Sequence, residues 1–546
     1  MKKVICLLLT AFVLMSCAAC AASAPDADMM GGADGNIFPS YSGGNKGQSI
    51  LNGVPSGTQA SASDKFDILT EMASPMPEAP AEVAPEEVPN DYYVENIRPE
   101  IQFIENEFIK VSENDVSTFS ADVDTASYTY FRKLVSQGYS LKDIINLTGA
   151  SLRTEEMLNY FSYNYKAPEA GQLFGVNSFI TDCPWNSNAV LLTLGLRADD
   201  AVESTGNNLV FLIDVSGSMR SADKLQLLKT SFKYLTDQLT EKDTVSIVTY
   251  SGAEKVVLSG CPGSQKQKIL SAVNSLEAGG STNGEAGLVK AYSIASDYFI
   301  EGGNNRIIMA SDGDLNVGIS SADELERFVA QKREQGIYLS VLGFGTGNYR
   351  DANMEAIADN GNGVYYYIDG AAEAEKIFGT DLLGTLYTVA KDVKLQLTFD
   401  PAYVDSYRLV GYENRLLNKE DFEDDTKDAG EVGAGHTVTV CYELILTDAA
   451  SEVGDPWIKL AVRHKDPDAV KSQLNEYFIG NADYTRTATD DVKFMCAVIE
   501  TAMLLHESEY IKGTTLKDII SDLDKLDLSD DYYKAEFRDI LKKLAK

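Results

Sequence analysis

Histidine is scarce in this sequence. Its three residues, His436, His464 and His506, include no HExxH pair, since His506-Glu507 lacks the second ligand, and a helix-borne zinc hydrolase site is excluded. Cysteine is equally thin where a metal would need it. Of seven, Cys6, Cys17 and Cys20 crowd the first twenty residues, and Cys183, Cys261, Cys441 and Cys496 stand far apart without CxxC spacing. A zinc site drops out, while one or two disulfides stay open. No GxxxxGK[ST] loop cradles a nucleotide, and DVSGS is no hydrolase elbow because Asp214 takes the place of the first glycine of GxSxG. Basic residues are outnumbered, 47 to 82 in 546 residues, for a net charge of −35. That balance excludes nucleic acid or an anionic bilayer surface as the main partner, both carrying the same sign. The acidic runs at Asp421 to Asp428 and Asp522 to Asp531 lack the glycine an EF-hand needs at its sixth position and read as solvated surface.

What is present begins with MKKVICLLLTAFVLMSC: Lys2 and Lys3, an apolar core from Val4 to Met15, and Ser16 before Cys17. This is an export signal, too short to span a membrane. Leu14-Met15-Ser16-Cys17 resembles the bacterial lipobox, which implies a signal over 1–16 and a lipid on Cys17. Cys20 is the poorer acceptor, having Cys17 where leucine belongs; the plainer alternative is a secretory signal with incidental cysteines. Residues 17–96, rich in Gly and Ser and then in Pro, Glu and Ala, cannot build a core and read as a tether of roughly 50 Å. The folded part is thus expected outside the cytoplasm, joined to a cell membrane or outer membrane by the lipid anchor alone.

A flanking α+β region is expected over 97–203. STFSADVDTASY suggests a strand entering a helix, RTEEMLNYF a second helix, and VNSFITDCPW and NAVLLTLGLRA strands. Asp122-Val123-Asp124-Thr125 matches the DxDxT motif of haloacid-dehalogenase-type phosphatases. STFSA is too polar for a good buried strand, however, and no βαβ series starts there, so an Asp/Thr cap on the following helix is the plainer reading.

Residues 204–386 alternate strand and helix signals. The run Leu209 to Ile213 has the length and character of a strand buried on both faces. Leu225, Leu228, Phe232, Leu235 and Leu239 recur at helical spacing, as do Ile269, Val273 and Leu276, and Leu288, Tyr292, Ala295 and Phe299. DTVSIVTYSG, NRIIMASDGD, YLSVLGFG and VYYYID supply further strands, KVVLSG closes a hairpin on the first of these, and Ser321 to Glu324 forms a capping box. The fold class is α/β: a doubly wound, mostly parallel sheet inserted in a β-rich flanking module, with helices at the carboxyl terminus.

Ligands of such sheets bind at the carboxyl ends of the strands. Asp214, Ser216 and Ser218 follow the first strand, Thr282 sits in GGSTNG, and Asp312 in ASDGD. These five oxygen donors, two of them carboxylates, suit a hard cation, and their few charges leave it able to accept one more acid. DVSGS, GGST and SDGD, in this order, resemble the metal-ion-dependent adhesion site of the von Willebrand factor type A domain. The resemblance implies that Asp214, Ser216, Ser218 and Thr282 contact the ion directly or through water and that Asp312 acts mainly through water. It implies Mg²⁺ first, with Mn²⁺ or Ca²⁺ as alternatives, and a protein ligand presenting an Asp or Glu carboxylate. Taken singly, the three motifs are a helix cap, a turn and a surface bend.

STFSADVDTASY with EEMLNYFSYNY, and LVGYENRLL with DAGEVGAGHTVTVCYEL, resemble the flanks of a bacterial family of exported or lipid-anchored proteins carrying this domain. Over 387–546, DVKLQLTFD, SYRLVGYE, HTVTVCYELIL and WIKLAVRH read as strands expected to pair with those of 117–200. DDVKFMCAVIETAMLLHESEY reads as a buried helix and YYKAEFRDILKKL as the last one. The expected function is a non-enzymatic envelope lipoprotein that binds a protein through a bound cation. A scaffold using the same surface without metal is the second reading, and a phosphatase using Asp122 and Asp124 the third.

Overall fold

The computed structural model describes residues 104–148, 151–200, 205–280, 284–313, 322–345, 351–381, 384, 386–451, 456–467, 469–485 and 487–546. Cys17 with its signal and tether, Thr282, and the Ser321 capping box lie outside them.

The described chain runs through β1 (Ile109–Lys110), β2 (Val116–Ser120), α1 (Ala126–Ser136), α2 (Leu141–Thr148), α3 (Thr154–Asn159), β3 (Phe174–Asp182) and β4 (Val190–Ala198). The central elements are β5 (Asn207–Asp214), α4 (Leu227–Gln238), β6 (Thr244–Tyr250), β7 (Lys255–Pro262), α5 (Lys266–Asn274), α6 (Gly284–Asp297), β8 (Asn304–Ser311), α7 (Ala322–Arg333), β9 (Ile337–Phe344), α8 (Asp351–Asn360), β10 (Tyr365–Ile368) and α9 (Ala371–Glu375). Then follow β11 (Thr388–Phe399), β12 (Val404–Val410), β13 (Gly430–Gly433), β14 (Thr437–Leu446), β15 (Ile458–Lys465), β16 (Gln473–Ile479), α10 (Asp490–Leu505), α11 (Leu516–Leu523) and α12 (Tyr532–Leu544).

The central sheet has the order β10-β9-β8-β5-β6-β7. Its strands are parallel except β7, which closes an antiparallel hairpin on β6. All eight residues of β5 are buried because helices cover both faces. Leu209, Phe211 and Ile213 pack with Leu228, Phe232 and Leu235 of α4 and with Ile269 and Val273 of α5. Val210 and Leu212 point the other way, as a strand's alternation requires, into a cluster with Leu288, Tyr292 and Ala295 of α6 and Met354 and Ile357 of α8. Each such side chain, fully buried, contributes about 1.5–3 kcal/mol. Phe299 does not join its predicted row: α6 stops at Asp297, and the ring beyond it is exposed.

The flanks fold as one module around the insertion. One sheet has the order β1-β12-β14-β4-β3 and the other β13-β11-β15-β16, with β2 paired to β11. Strands from before and after the central elements are therefore hydrogen-bonded neighbours, with Leu194 opposite Val440 and Phe119 opposite Leu395. Their inner faces share a core containing Phe119, Leu194, Leu395, Leu460 and Tyr442. STFSA proves to be buried despite its polarity, placing Phe119 and Ala121 in this core, and two of its hydroxyls are paired: Ser117 Oγ accepts from Tyr442 Oη at 2.8 Å and Thr118 Oγ1 from Gln396 Nε2 at 3.0 Å. A third core gathers α1, α3, α10, α11 and α12. Cys183, Cys261, Cys441 and Cys496 are all buried and unbridged.

Candidate metal centre at the carboxyl edge of the central sheet

Strand β5 ends at Asp214, flanked by β6 and β8, so its next residues emerge at the carboxyl edge of the sheet. The turn there is held by its own polar groups. Ser216 N–H donates to Asp214 Oδ1 at 2.7 Å, and the Ser216 and Ser218 hydroxyls lie 2.9 Å apart. Backbone bonds tie this turn to its neighbours: Val215 N–H to Tyr250 O, 3.0 Å, Gly279 N–H to Val215 O, 2.8 Å, and Gly217 N–H to Gly280 O, 3.1 Å. Gly280 has φ +85°, which favours glycine there. These bonds bring the segment leading to Thr282 against the Ser216–Ser218 turn.

Asp312 follows β8, and β8 pairs with β5. Its Oδ2 accepts from Lys224 Nζ at 2.9 Å, and the same ammonium donates to Ser218 O at 3.2 Å. Thus one cation touches both the β5 turn and the β8 turn. Asp214 and Ser216 are 0 % and 2 % exposed and Asp312 is 3 % exposed, whereas Ser218 opens to solvent. Of the five residues singled out in the sequence, four are thus placed in two adjoining turns, and the fifth lies outside the described residues. Lys224 was not among them. Its backbone, φ −121° and ψ −106° inside the turn Ala222–Gln226, departs from the helix that the leucine spacing predicts, so periodicity gave no hint that its side chain reaches the site.

The donor set fits a divalent cation on chemical grounds. Two carboxylates and two hydroxyls are all hard oxygen ligands, with no sulfur or imidazole to favour a softer metal.

A second cluster lies elsewhere. Carboxyl oxygens of Asp122, Asp124 and Glu156 fall within 4.8 Å of one another, all buried. Arg415 reaches Asp122 at 3.2 Å, Asp124 at 3.5 Å, Glu355 at 3.2 Å and Asp359 at 3.0 Å, while Arg153 reaches Glu156 at 2.6 Å. Burial, and next the charge of Asp122, push the Asp124 carboxyl well above the usual range. The predicted cap is corrected here: Thr125 at the start of α1 makes no side-chain cap bond, and the end of that helix is met instead by Glu156, whose Oε2 accepts from Ser127 N at 2.8 Å. Asp124 Oδ1 accepts from Tyr365 N–H of β10 at 3.0 Å. DVDT therefore serves as a clasp between the flanking module and the central sheet.

Residues 208–380 match the family described as von Willebrand factor type A domain, residues 100–193 that described as von Willebrand factor, and residues 384–546 that described as uncharacterized protein YfbK, C-terminal. The chain is similar to the uncharacterized protein YfbK of Escherichia coli (strain K12), 38% identical over 445 residues that cover 77% of this chain and 76% of that one. It is 29% identical over 177 residues to the human inter-alpha-trypsin inhibitor heavy chain H3, covering 31% of this chain and 20% of the relative. Among solved structures, a von Willebrand factor type A protein from Catenulispora acidiphila aligns over 67% of this chain and 88% of its own, at 17% identity and a TM-score of 0.39.

Proposed function

This chain belongs to the family of the Escherichia coli protein YfbK and carries a von Willebrand factor type A domain, and from that premise we propose that it is a cell-envelope lipoprotein that captures a protein partner through a divalent cation. The cation, Mg²⁺ in the first instance, is held by Asp214, Ser216, Ser218, Thr282 and Asp312. Domains of this type generally bind proteins, and the finer reading rests on one observation: the turns after β5 and β8 place two buried carboxylates and two hydroxyls at the same edge, bridged by a single ammonium.

When bound, the ion supplies an electrophilic coordination position that an acidic side chain can fill. The chain's own part is to hold that position. Asp214 Oδ1 fixes the turn by accepting from Ser216 N–H, which aligns the hydroxyls of Ser216 and Ser218. Hydroxyl ligands coordinate without neutralising, so the ion keeps its affinity for a partner's Asp or Glu carboxylate. The function is binding, without catalysis. The lipid on Cys17 and the tether over 17–96 keep the domain at the membrane while letting it reach outward.

The test is capture from membrane fractions by the purified full chain in 5 mM MgCl₂, in EDTA, and with Asp214→Ala, followed by mass spectrometry. A partner retained in magnesium and lost in both other arms supports the proposal. A partner retained in all three refutes the ion bridge and leaves a metal-independent scaffold.

A further inference from the structure

Lys224 stands where a divalent ion would find its outer carboxylate. Its ammonium takes Asp312 Oδ2 at 2.9 Å and Ser218 O at 3.2 Å, and the lysine side chain is 11% exposed against 0% for that of Asp312. Its stem runs beside Gly345, φ +76°, at the end of β9; a Cβ at 345 would lie 2.1 Å from Lys224 Cε. Glycine suits this left-handed position and leaves the lysine stem room. The turn carrying the lysine is pinned on its other side, where Asp223 accepts from Ser221 Oγ at 2.6 Å and pairs with Lys133 of α1 at 3.6 Å. The backbone is thus anchored, while the side chain keeps its flexible four-carbon stem.

An ammonium and a divalent ion sharing one buried carboxylate and one turn would sit within a few ångströms of each other and would repel. We propose that Lys224 is a resident cation of the site: it neutralises Asp312 until a divalent ion takes that carboxylate, and so sets how tightly the site binds Mg²⁺ or Mn²⁺. This rests on the ion-bridged reading above and adds to it a threshold. A lysine that must be displaced weakens ion uptake, so the partner's carboxylate, which strengthens ion binding, and the ion favour each other's binding by linkage.

The experiment titrates MnCl₂ into the purified full chain, with bound ion counted by electron paramagnetic resonance and MgCl₂ binding measured by calorimetry. Wild type is compared with Lys224→Met, Lys224→Gln, Lys224→Arg and Asp214→Asn, each checked for an unchanged far-ultraviolet spectrum. Lys224→Gln keeps a donor near Ser218 O without the charge, so it remains informative if the methionine variant folds poorly. Displacing one buried ion pair predicts ion binding about tenfold tighter in the methionine and glutamine variants. The arginine variant stays within about threefold of wild type, because its charge remains. Equal or weaker binding in Met and Gln variants, with wild type binding one ion, overturns the competition and leaves the ion bridge standing. No uptake in any variant, or uptake that survives Asp214→Asn, overturns the ion bridge and the competition together.

Discussion

Replacing Arg415 by methionine should separate the flanking module from the central domain. Arg415 follows β12, and its guanidinium faces Asp122 and Asp124 of the flank and Glu355 and Asp359 of α8. The side chains of Asp122, Asp124 and Glu355 are 1 %, 6 % and 7 % exposed, whereas that of Asp359 is 39 % exposed and adds little. Removing one partner of a buried pair costs about 3–5 kcal/mol, because charge is left without compensation. The carboxylates can recover part of this by holding protons. Asp124 is already raised well above its usual value, burial being the first cause. An acid raised in the folded state binds more protons there than when unfolded, so stability is greatest below its unfolded value and falls as pH rises through the folded one. Loss of Arg415, whose charge lowers it, enlarges that slope. We expect Arg415→Met to lose about 3 kcal/mol at pH 8 and less at pH 5. Urea titration suits the assay because both tryptophans, Trp185 and Trp457, lie in the flanks, so their fluorescence reports that module while far-ultraviolet circular dichroism reports the whole. The two transitions should coincide in wild type and separate in the variant. A change under about 0.5 kcal/mol, or an equal loss at both pH values, would refute the clasp.

Three further outcomes are expected. Magnesium at about a hundredfold its dissociation constant should stabilise the central domain by roughly 2.7 kcal/mol, seen as a midpoint rise of about 5–10 °C in a circular dichroism melt that Asp214→Asn abolishes. Glu500 of α10 is 6 % exposed, and burial, followed by the charges of Asp522 and Asp518, pushes its carboxyl up to about 7. Its raised value means that wild-type stability declines as pH climbs from about 4.5 to about 7, and Glu500→Gln should flatten that decline and gain up to about 3 kcal/mol at pH 8 in urea titrations; a parallel curve for the variant counts against it. A Cβ at Gly430 would fall 2.0 Å from the backbone oxygen of Ala121, with no side chain to yield, so Gly430→Ala should cost about 2–3 kcal/mol by scanning fluorimetry, and a neutral effect would contradict the packing.

Much of the central fold was legible because its signals are local. Leu209 to Ile213 form one bounded apolar run, and Leu228, Phe232 and Leu235 recur at the helical period, so each segment announces its own structure without reference to the rest. Two of the turn motifs, DVSGS and SDGD, could be placed at one sheet edge for the same reason, since in a parallel sheet every strand's carboxyl end lies on the same side. STFSA, a strand too polar to read as buried, is buried because two of its hydroxyls find partners on Tyr442 and Gln396, remote in the chain.

Patterning along the chain thus determined that this is an α/β sheet inserted among strands, and which turns carry oxygen-bearing side chains. Tertiary structure alone decided that β4 pairs with β14, that DVDT closes on Arg415 and β10 in place of capping its helix, and that Lys224 reaches Asp312. The physical reason is common to all three. Periodicity and turn chemistry are set by neighbours a few residues away, whereas a strand is paired and a buried charge matched by whatever the packing brings within reach, and no local pattern records which partner that is.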